Sequence, residues 1–309
     1  MQHEPQLTAD MFRPVTDHFK DAEKIERPSV SYWADVWRRL KMNKLAMIGL
    51  LMIIALVIMA IIGPMISGYT YYKQDFSIKN MRPSAEHWFG TDSSGRDIFT
   101  RVWYGARISL FIGVMAAFID FVIGVLYGGI SGLKGGRIDN IMMRIAEVLY
   151  GIPYLLMVIL LMVVMGQGLW TIIIAMTITG WIPMARLVRG QVLQLKEQEY
   201  VQAAMVLGAD TKWILRKHMI PNMMGPILVN VTLTVPTAIF AEATLSFLGL
   251  GIPAPQASWG TMVNDALVSL LVGNVYQLFI PGFFISLTMF AFNVLGDGLR
   301  DALDPRMRK

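Results

Sequence analysis

Two carboxylates stand where a carboxylate is expensive. Asp120 and Glu242 each lie within an apolar stretch long enough to cross a bilayer. A charge at that depth has to be paired, wetted or used. Asp120 admits either a structural partner or a place on a transport pathway. Glu242, near the outer end of its stretch, admits a gate or a contact with another subunit. A third group, Asp92, Arg96 and Asp97, falls in the turn-rich segment His87-Trp-Phe-Gly-Thr-Asp-Ser-Ser-Gly-Arg-Asp97 and reads as ion pairs bracing a compact loop. No nucleophile–base pair accompanies it, which argues against catalysis. The chain has no Cys and 4 scattered His. That excludes a disulfide framework, a thiolate metal site and a Cys nucleophile, and no metal site is expected. No Gly-x4-Gly-Lys-Ser/Thr phosphate loop is present, so any ATP has to bind another polypeptide.

The elements that must position these groups are membrane helices. The 309 residues are 55% apolar and 16% charged, with mean hydropathy +0.51, against roughly 45–50% and about 25% in soluble domains. Spans of about 20 apolar residues are predicted at Leu45 to Ile66, Ile108 to Ser131, Met224 to Leu245 and Tyr276 to Leu295. The charge-free run from Val148 to Ala185 has 38 residues; as one helix it would be about 57 Å long. Met165-Gly166-Gln167-Gly168 divides it into two spans joined by a hairpin, which makes six. The first apolar run begins behind about forty polar residues, unlike a cleavable signal peptide. With the N-terminus inside, 21 of the 27 Lys and Arg residues face the cytoplasm, and Lys73, Lys79, Arg82, Arg96, Arg101 and Arg107 face out. This supports a six-span, N-in/C-in topology and explains the net charge of +5 without nucleic acid. Arg144 and Glu147 are spaced to pair on one helix face, while Arg186 and Arg189 read as anchors at the inner end of the fourth span. Ser31–Lys44, with Trp33, Trp37 and Leu40 at helical spacing, reads as an amphipathic juxtamembrane helix, an ordinary lead into the first span in preference to one lying on the inner lipid surface.

The inner loop between the fourth and fifth spans reads as helix, stop, helix. Tyr200–Leu207 holds good helix formers, Gly208 suits a left-handed cap, Asp210 a helix start, and Pro221 a return toward the membrane. The pattern Gln202-Ala203-Ala204-x3-Gly208…Ile220-Pro221 resembles the "EAA" loop of membrane subunits of ABC-type importers. It departs from that loop in Gln202 for Glu, His218 for Ile and Ile220 for Leu. Three other stretches resemble the C-type permease subunits of oligopeptide, dipeptide and nickel ABC importers. They are Phe89-Gly-Thr-Asp-x-x-Gly-Arg-Asp97 with Tyr104-Gly-Ala-Arg-x-Ser-Leu110, Leu245-Ser-Phe-Leu-Gly-Leu-Gly251 with Ser258-Trp-Gly260, and Gly296-Asp-Gly-Leu-Arg-Asp-Ala-Leu-Asp-Pro305. The similarity runs from Leu45 to Lys309. Asp21-Ala-Glu-Lys24 and Gln191-Val-Leu-Gln-Leu-Lys196 look most like oligopeptide permeases of Gram-positive bacteria.

The resemblance implies an all-α, polytopic type I importer permease fold in the bacterial plasma membrane. It divides into a tail at 1–44, a first helix with its outer loop at 45–104, a core permease domain at 105–297 with a coupling loop at 186–223, and a cytoplasmic end at 298–309. It implies that Glu199, Gln202, Ala203, Ala204, Gly208, Ala209, Asp210 and Pro221 couple to an ATPase, with Glu199 able to replace the carboxylate missing at Gln202. The implied partners are a homologous second permease in a heterodimer, two cytoplasmic ATPase subunits that carry ATP and Mg, and an extracellular peptide-binding protein; no cofactor is held by this chain. Dipeptides or nickel are the alternative cargo. An ion-coupled secondary transporter is the alternative class, and it would need midplane relays and inverted repeats. Asp120 alone answers to the first requirement, and no repeat is visible. An intramembrane enzyme would need paired catalytic groups in the spans.

Overall fold

The structure, a computed structural model, describes residues 31–304. The polar tail with Asp21-Ala-Glu-Lys24 and the terminal bases Arg306, Arg308 and Lys309 lie outside the described residues. Among the described residues the chain is all-helical, apart from one bridge between Thr91 and Asp97.

Helix α1 (Tyr32–Met42) buries Val36 and Leu40 against Ala302 and Leu303 and leaves Trp33 and Trp37 exposed. Helix α2 (Lys44–Ile66) is apolar all round, as lipid contact demands. It packs inward through small residues, Ala46, Gly49, Ala60 and Gly63, with Leu56 among them. A Cβ at Gly63 would strike the Trp103 ring, and one at Gly49 the Ala291 carbonyl.

Helix α3 (Ile98–Lys134) begins ten residues before the predicted onset at Ile108 and runs about 55 Å. Two arginines that look like loop residues in the sequence are accommodated inside it. Arg107 shows how. Pro64 of α2 has no N–H to give the carbonyl of Ala60, and the Arg107 guanidinium donates to Ala60 O at 2.5 Å and Ile61 O at 2.8 Å. The charge thereby satisfies backbone acceptors that lipid could not.

The third span differs from the expected straight helix. Residues read as a loop at 132–144 fold largely into α4 (Gly136–Tyr150), and α5 (Tyr154–Met165) follows after an 80° bend. Gly151-Ile152-Pro153 makes the break, since Pro153 cannot continue α4. Helix α5 is only 12 residues, about 18 Å, so it is shorter than the hydrocarbon core. The hairpin at Gly166–Gly168 leads into α6 (Leu169–Lys196), with Gly166 at φ +78°.

Helices α3 and α6 meet along Gly124, Gly128 and Gly132. A Cβ at Gly128 would overlap the Ala185 backbone, one at Gly124 would lie 3.0 Å from Trp181 O, and one at Gly132 3.1 Å from Arg189 O. This four-residue spacing of glycines lets two membrane helices touch backbone to backbone. Arg189 is more than an anchor. It clamps Asp139 of α4 through two bonds of 2.6 and 2.5 Å, and Ser131 of α3 donates to the same carboxylate at 2.5 Å. Arg144 pairs with Glu147 at 3.1 Å on the exposed face of α4.

After α6 come α7 (Glu199–Val206) and α8 (Thr211–Ile214), a π-turn at Leu215–Met219, and α9 (Ile220–Leu245). A second π-turn at Ser246–Leu250 contains Gly249 at φ +81° and breaks the span. Helix α10 (Trp259–Leu270) and α11 (Tyr276–Leu303) complete the chain.

Candidate functional site

The inner loop is built as a rigid projection. Val201 is fully buried in a cluster with Val192, Ile214, Leu215 and Met219, which fixes α7 to the ends of α6 and α9. The exit from α7 is a double closure: Ala209 N donates to Ala204 O at 3.0 Å and Gly208 N to Met205 O at 3.0 Å. This closure needs a left-handed residue at Gly208, whose φ is +83°. Asp210 then caps α8, accepting from Trp213 N at 2.7 Å.

His218, a departure from the EAA pattern, has a role of its own. Its ring lies between those of Trp213 and Tyr200, at centroid distances of 4.9 and 5.6 Å, and Asn222 Nδ2 links Tyr200 Oη to His218 O.

The residues carried over from the resemblance divide by face. Glu199, Gln202, Ala203, Gly208, Asp210 and Pro221 are exposed and Ala209 is half-buried. Ala204 is buried, so of the two alanines implied to couple to an ATPase only Ala203 lies on the exposed face. The tip instead presents Val206 and Leu207, which are 87% and 86% exposed. In the sequence they read as ordinary helix formers, and the local signal of an exposed tip is two adjacent apolar residues beside the capping glycine.

Glu242 and Asp120 have opposite surroundings. Glu242 is fully buried and accepts from Ser246 Oγ at 2.7 Å, Ser258 Oγ at 2.6 Å and Ser109 Oγ at 3.4 Å. Ser109 Oγ in turn accepts from Trp259 N at 3.2 Å. The carboxylate thus joins α9, α3 and the start of α10. Asp120 is also buried, at 6% exposure, yet its Oδ1 has no hydrogen-bond partner. The two acids occupy separate sites.

The outer cluster is larger than the sequence suggested. Arg96 contacts Asp92 at 2.7 Å and Asp265 of α10 at 2.9 Å. Arg101, 2% exposed, contacts Asp265 at 2.9 Å and, as an ion pair without hydrogen-bond geometry, Asp92 at 3.1 Å. Asp97 takes no part in these pairs. It caps α3 by accepting from Thr100 N at 2.8 Å and lies 2.9 Å from His87 Nδ1. Arg101, Asp265 and His87 were missed because their partners are remote in sequence or looked like loop residues.

The loop is pinned further by Tyr276 Oη, which donates to Met81 O at 2.8 Å, and by Gln277 Nε2, which donates to Thr91 O at 3.0 Å. At its start the Ser77 hydroxyl and amide donate to Asp75 at 2.6 and 3.0 Å and hold its carboxyl below the usual range. Gly95, at φ +72°, is required there because a Cβ would overlap the Asp75 carbonyl. Among the described residues no group of three His, Asp or Glu could hold a metal ion.

Residues 99–309 match the family described as "Binding-protein-dependent transport system inner membrane component". The chain belongs to that family. Residues 31–83 of this permease match the "N-terminal TM domain of oligopeptide transport permease C". The permease is 64% identical to the dipeptide transport system permease protein DppC of Bacillus subtilis, over 94% of this chain and 91% of the relative. It is 60% identical to the oligopeptide transport system permease protein OppC of the same organism, over 98% and 99%, and 43% identical to OppC of Escherichia coli K12, over 93% and 95%. A solved chain of the MetNI methionine ABC transporter, inward facing, superposes with TM-score 0.54 at 21% identity, covering 66% of the permease and 96% of that chain. It shares the fold. The permease is therefore a multi-pass plasma-membrane subunit of an ABC importer.

Proposed function

We propose that this permease forms half of the translocation pathway of an ATP-driven oligopeptide importer. It pairs with a homologous second permease, receives peptide from an extracellular binding protein, and is driven by two cytoplasmic ATPase subunits that bind ATP and Mg. One observation carries the coupling role: α7 is anchored by a fully buried Val201 yet thrusts Val206 and Leu207 almost completely into solvent. A rigid helix with an apolar tip, placed between α6 and α9, transmits force from a protein that covers the tip. ATP shifts the bundle only if the ATPases bind it differently in the inward- and outward-facing states. Relatives named for dipeptides and for oligopeptides stand at 64% and 60% identity. They favour peptides over nickel and leave peptide length to the binding protein.

The test is affinity purification of the tagged chain in mild detergent, with the co-purifying proteins identified by mass spectrometry, then ATP-dependent uptake of labelled peptides in proteoliposomes. A second permease and phosphate-loop ATPases are expected. Recovery of this chain alone, with transport driven by an ion gradient, would overturn the reading.

A further inference from the structure

A cavity of about 350 Å³ lies among α3, α5, α6 and α9, lined by apolar side chains and by Asp120, Tyr154, Gly180, Asn230, Thr234 and Thr237. Its size is in the range that holds a small ligand or one end of a larger one. Asp120 stands 14 residues before the inner end of α3, about 21 Å along the helix. Asn230 is 10 residues into α9, about 15 Å. The cavity is therefore in the middle of the membrane.

Two of its polar groups are orphans. Asp120 Oδ1 and Tyr154 Oη are both buried without a hydrogen-bond partner. The other hydroxyls are not idle donors: Thr234 and Thr237 donate to Asn230 O and Leu233 O, each at 2.9 Å, and keep only acceptor capacity. The lining therefore offers a carboxylate and several acceptor oxygens, with the Tyr154 hydroxyl and the Asn230 amide able to donate as well, and no Lys, Arg or His lines the cavity. Gly180 keeps the place open, since a Cβ there would come within 2.8 and 2.9 Å of the Asp120 oxygens. Glu242 is the internal comparison. A buried carboxylate with a structural role is given three hydroxyls, and Asp120 is given none of them.

We propose that Asp120, with Tyr154 and Asn230, forms a subsite for an ammonium group of the peptide in transit. The ammonium supplies three donors and one positive charge, which match the Asp120 carboxylate and the acceptor oxygens of Tyr154 and Asn230. The subsite rests on the peptide-importer reading. Its source is either the peptide N-terminus or a lysine side chain, and the experiment separates them.

The complete importer, reconstituted with its binding protein in proteoliposomes, is assayed for ATP-dependent uptake of labelled Ala-Ala-Ala, Ala-Lys-Ala and Ala-Glu-Ala. Asp120→Asn keeps the shape and removes the charge. Uptake is expected to fall at least tenfold, while the concentration dependence on loaded binding protein and the ATP hydrolysis it stimulates stay within twofold of wild type. Asp120→Glu is expected to restore part of the transport. An equal fall for all three peptides assigns the N-terminal ammonium, and a fall confined to Ala-Lys-Ala assigns the lysine. Wild-type uptake of all three by Asp120→Asn, or failure of that variant to assemble with its partners, would overturn the subsite and leave Asp120 a packing residue. No ATP-dependent uptake by the wild type would overturn the importer reading itself, and the subsite with it.

Discussion

At the scale of single residues, burial and partner count decide what a side chain does. Glu242 satisfies three serine hydroxyls drawn from α3, α9 and the start of α10. Glu242→Ala leaves those hydroxyls unmatched in a dry site and is expected to cost about 3 kcal/mol of stability. Glu242→Gln keeps an acceptor for Ser246 and Ser258 and is expected to cost clearly less. Thermal unfolding of the purified protein in detergent checks both, and equal melting temperatures for the two variants would contradict the role. On the inner loop, neighbouring alanines are predicted to respond differently. Ala203→Glu adds charge to an exposed face, whereas Ala204→Glu forces a carboxylate into a buried position of α7. Limited proteolysis of the loop is expected to be unchanged in the first and accelerated in the second. The sequence displayed the pair as equivalent, because helical phase against the bundle is set by contacts with α6 and α8 that a local pattern does not contain.

At the scale of elements, close approach explains more than hydropathy does. Gly128 lets α3 lie against the Ala185 backbone. Gly128→Val is expected to separate α3 from α6 at a cost of about 3 kcal/mol, seen as reduced yield and a lower melting temperature. Gly190→Ala on α6 meets no neighbouring atom and is expected to be neutral or slightly stabilising through helix propensity. Loss of yield by the second and not the first would refute this account of the helix pair. The same contrast shows what was legible. The Gly166–Gly168 hairpin and the Gly208–Asp210 caps follow from short-range chemistry, and the structure has them; of the six spans, five are single long helices and the sixth requires α4 and α5 to act as one broken span. The early start of α3 was hidden because Arg101 and Arg107 are satisfied by residues far away in the chain. The 80° break before α5 was hidden because it falls inside an uncharged run, where hydropathy records length and is blind to direction.

At the scale of the whole molecule, the tip of α7 is where an applied force can enter. Leu207→Glu is expected to abolish co-purification of the ATPases and peptide uptake while leaving membrane insertion and yield intact, since the side chain touches little of its own bundle. Gln202→Glu, on the exposed face and restoring the residue usual at that position of the EAA pattern, is expected to retain at least half of wild-type uptake. Normal transport by Leu207→Glu would remove α7 from the coupling path. The overall fold and the inner loop were readable because each is written in contiguous residues. The mid-membrane cavity was not, because Asp120, Tyr154, Gly180 and Asn230 come from four helices and no local pattern links them.

The outer ion cluster also has a history in time. Arg96 and Arg101 share Asp265, which lies 169 and 164 residues later in the chain. At a synthesis rate of about 5–20 residues per second, the ribosome delivers that aspartate roughly 10–30 s after the arginines. For that interval the outer loop has crossed the membrane with half of its counter-charge missing. The last helices to be made therefore finish the folding of the first loop, and a chain truncated before α10 is born with two arginines that have Asp92 alone to share.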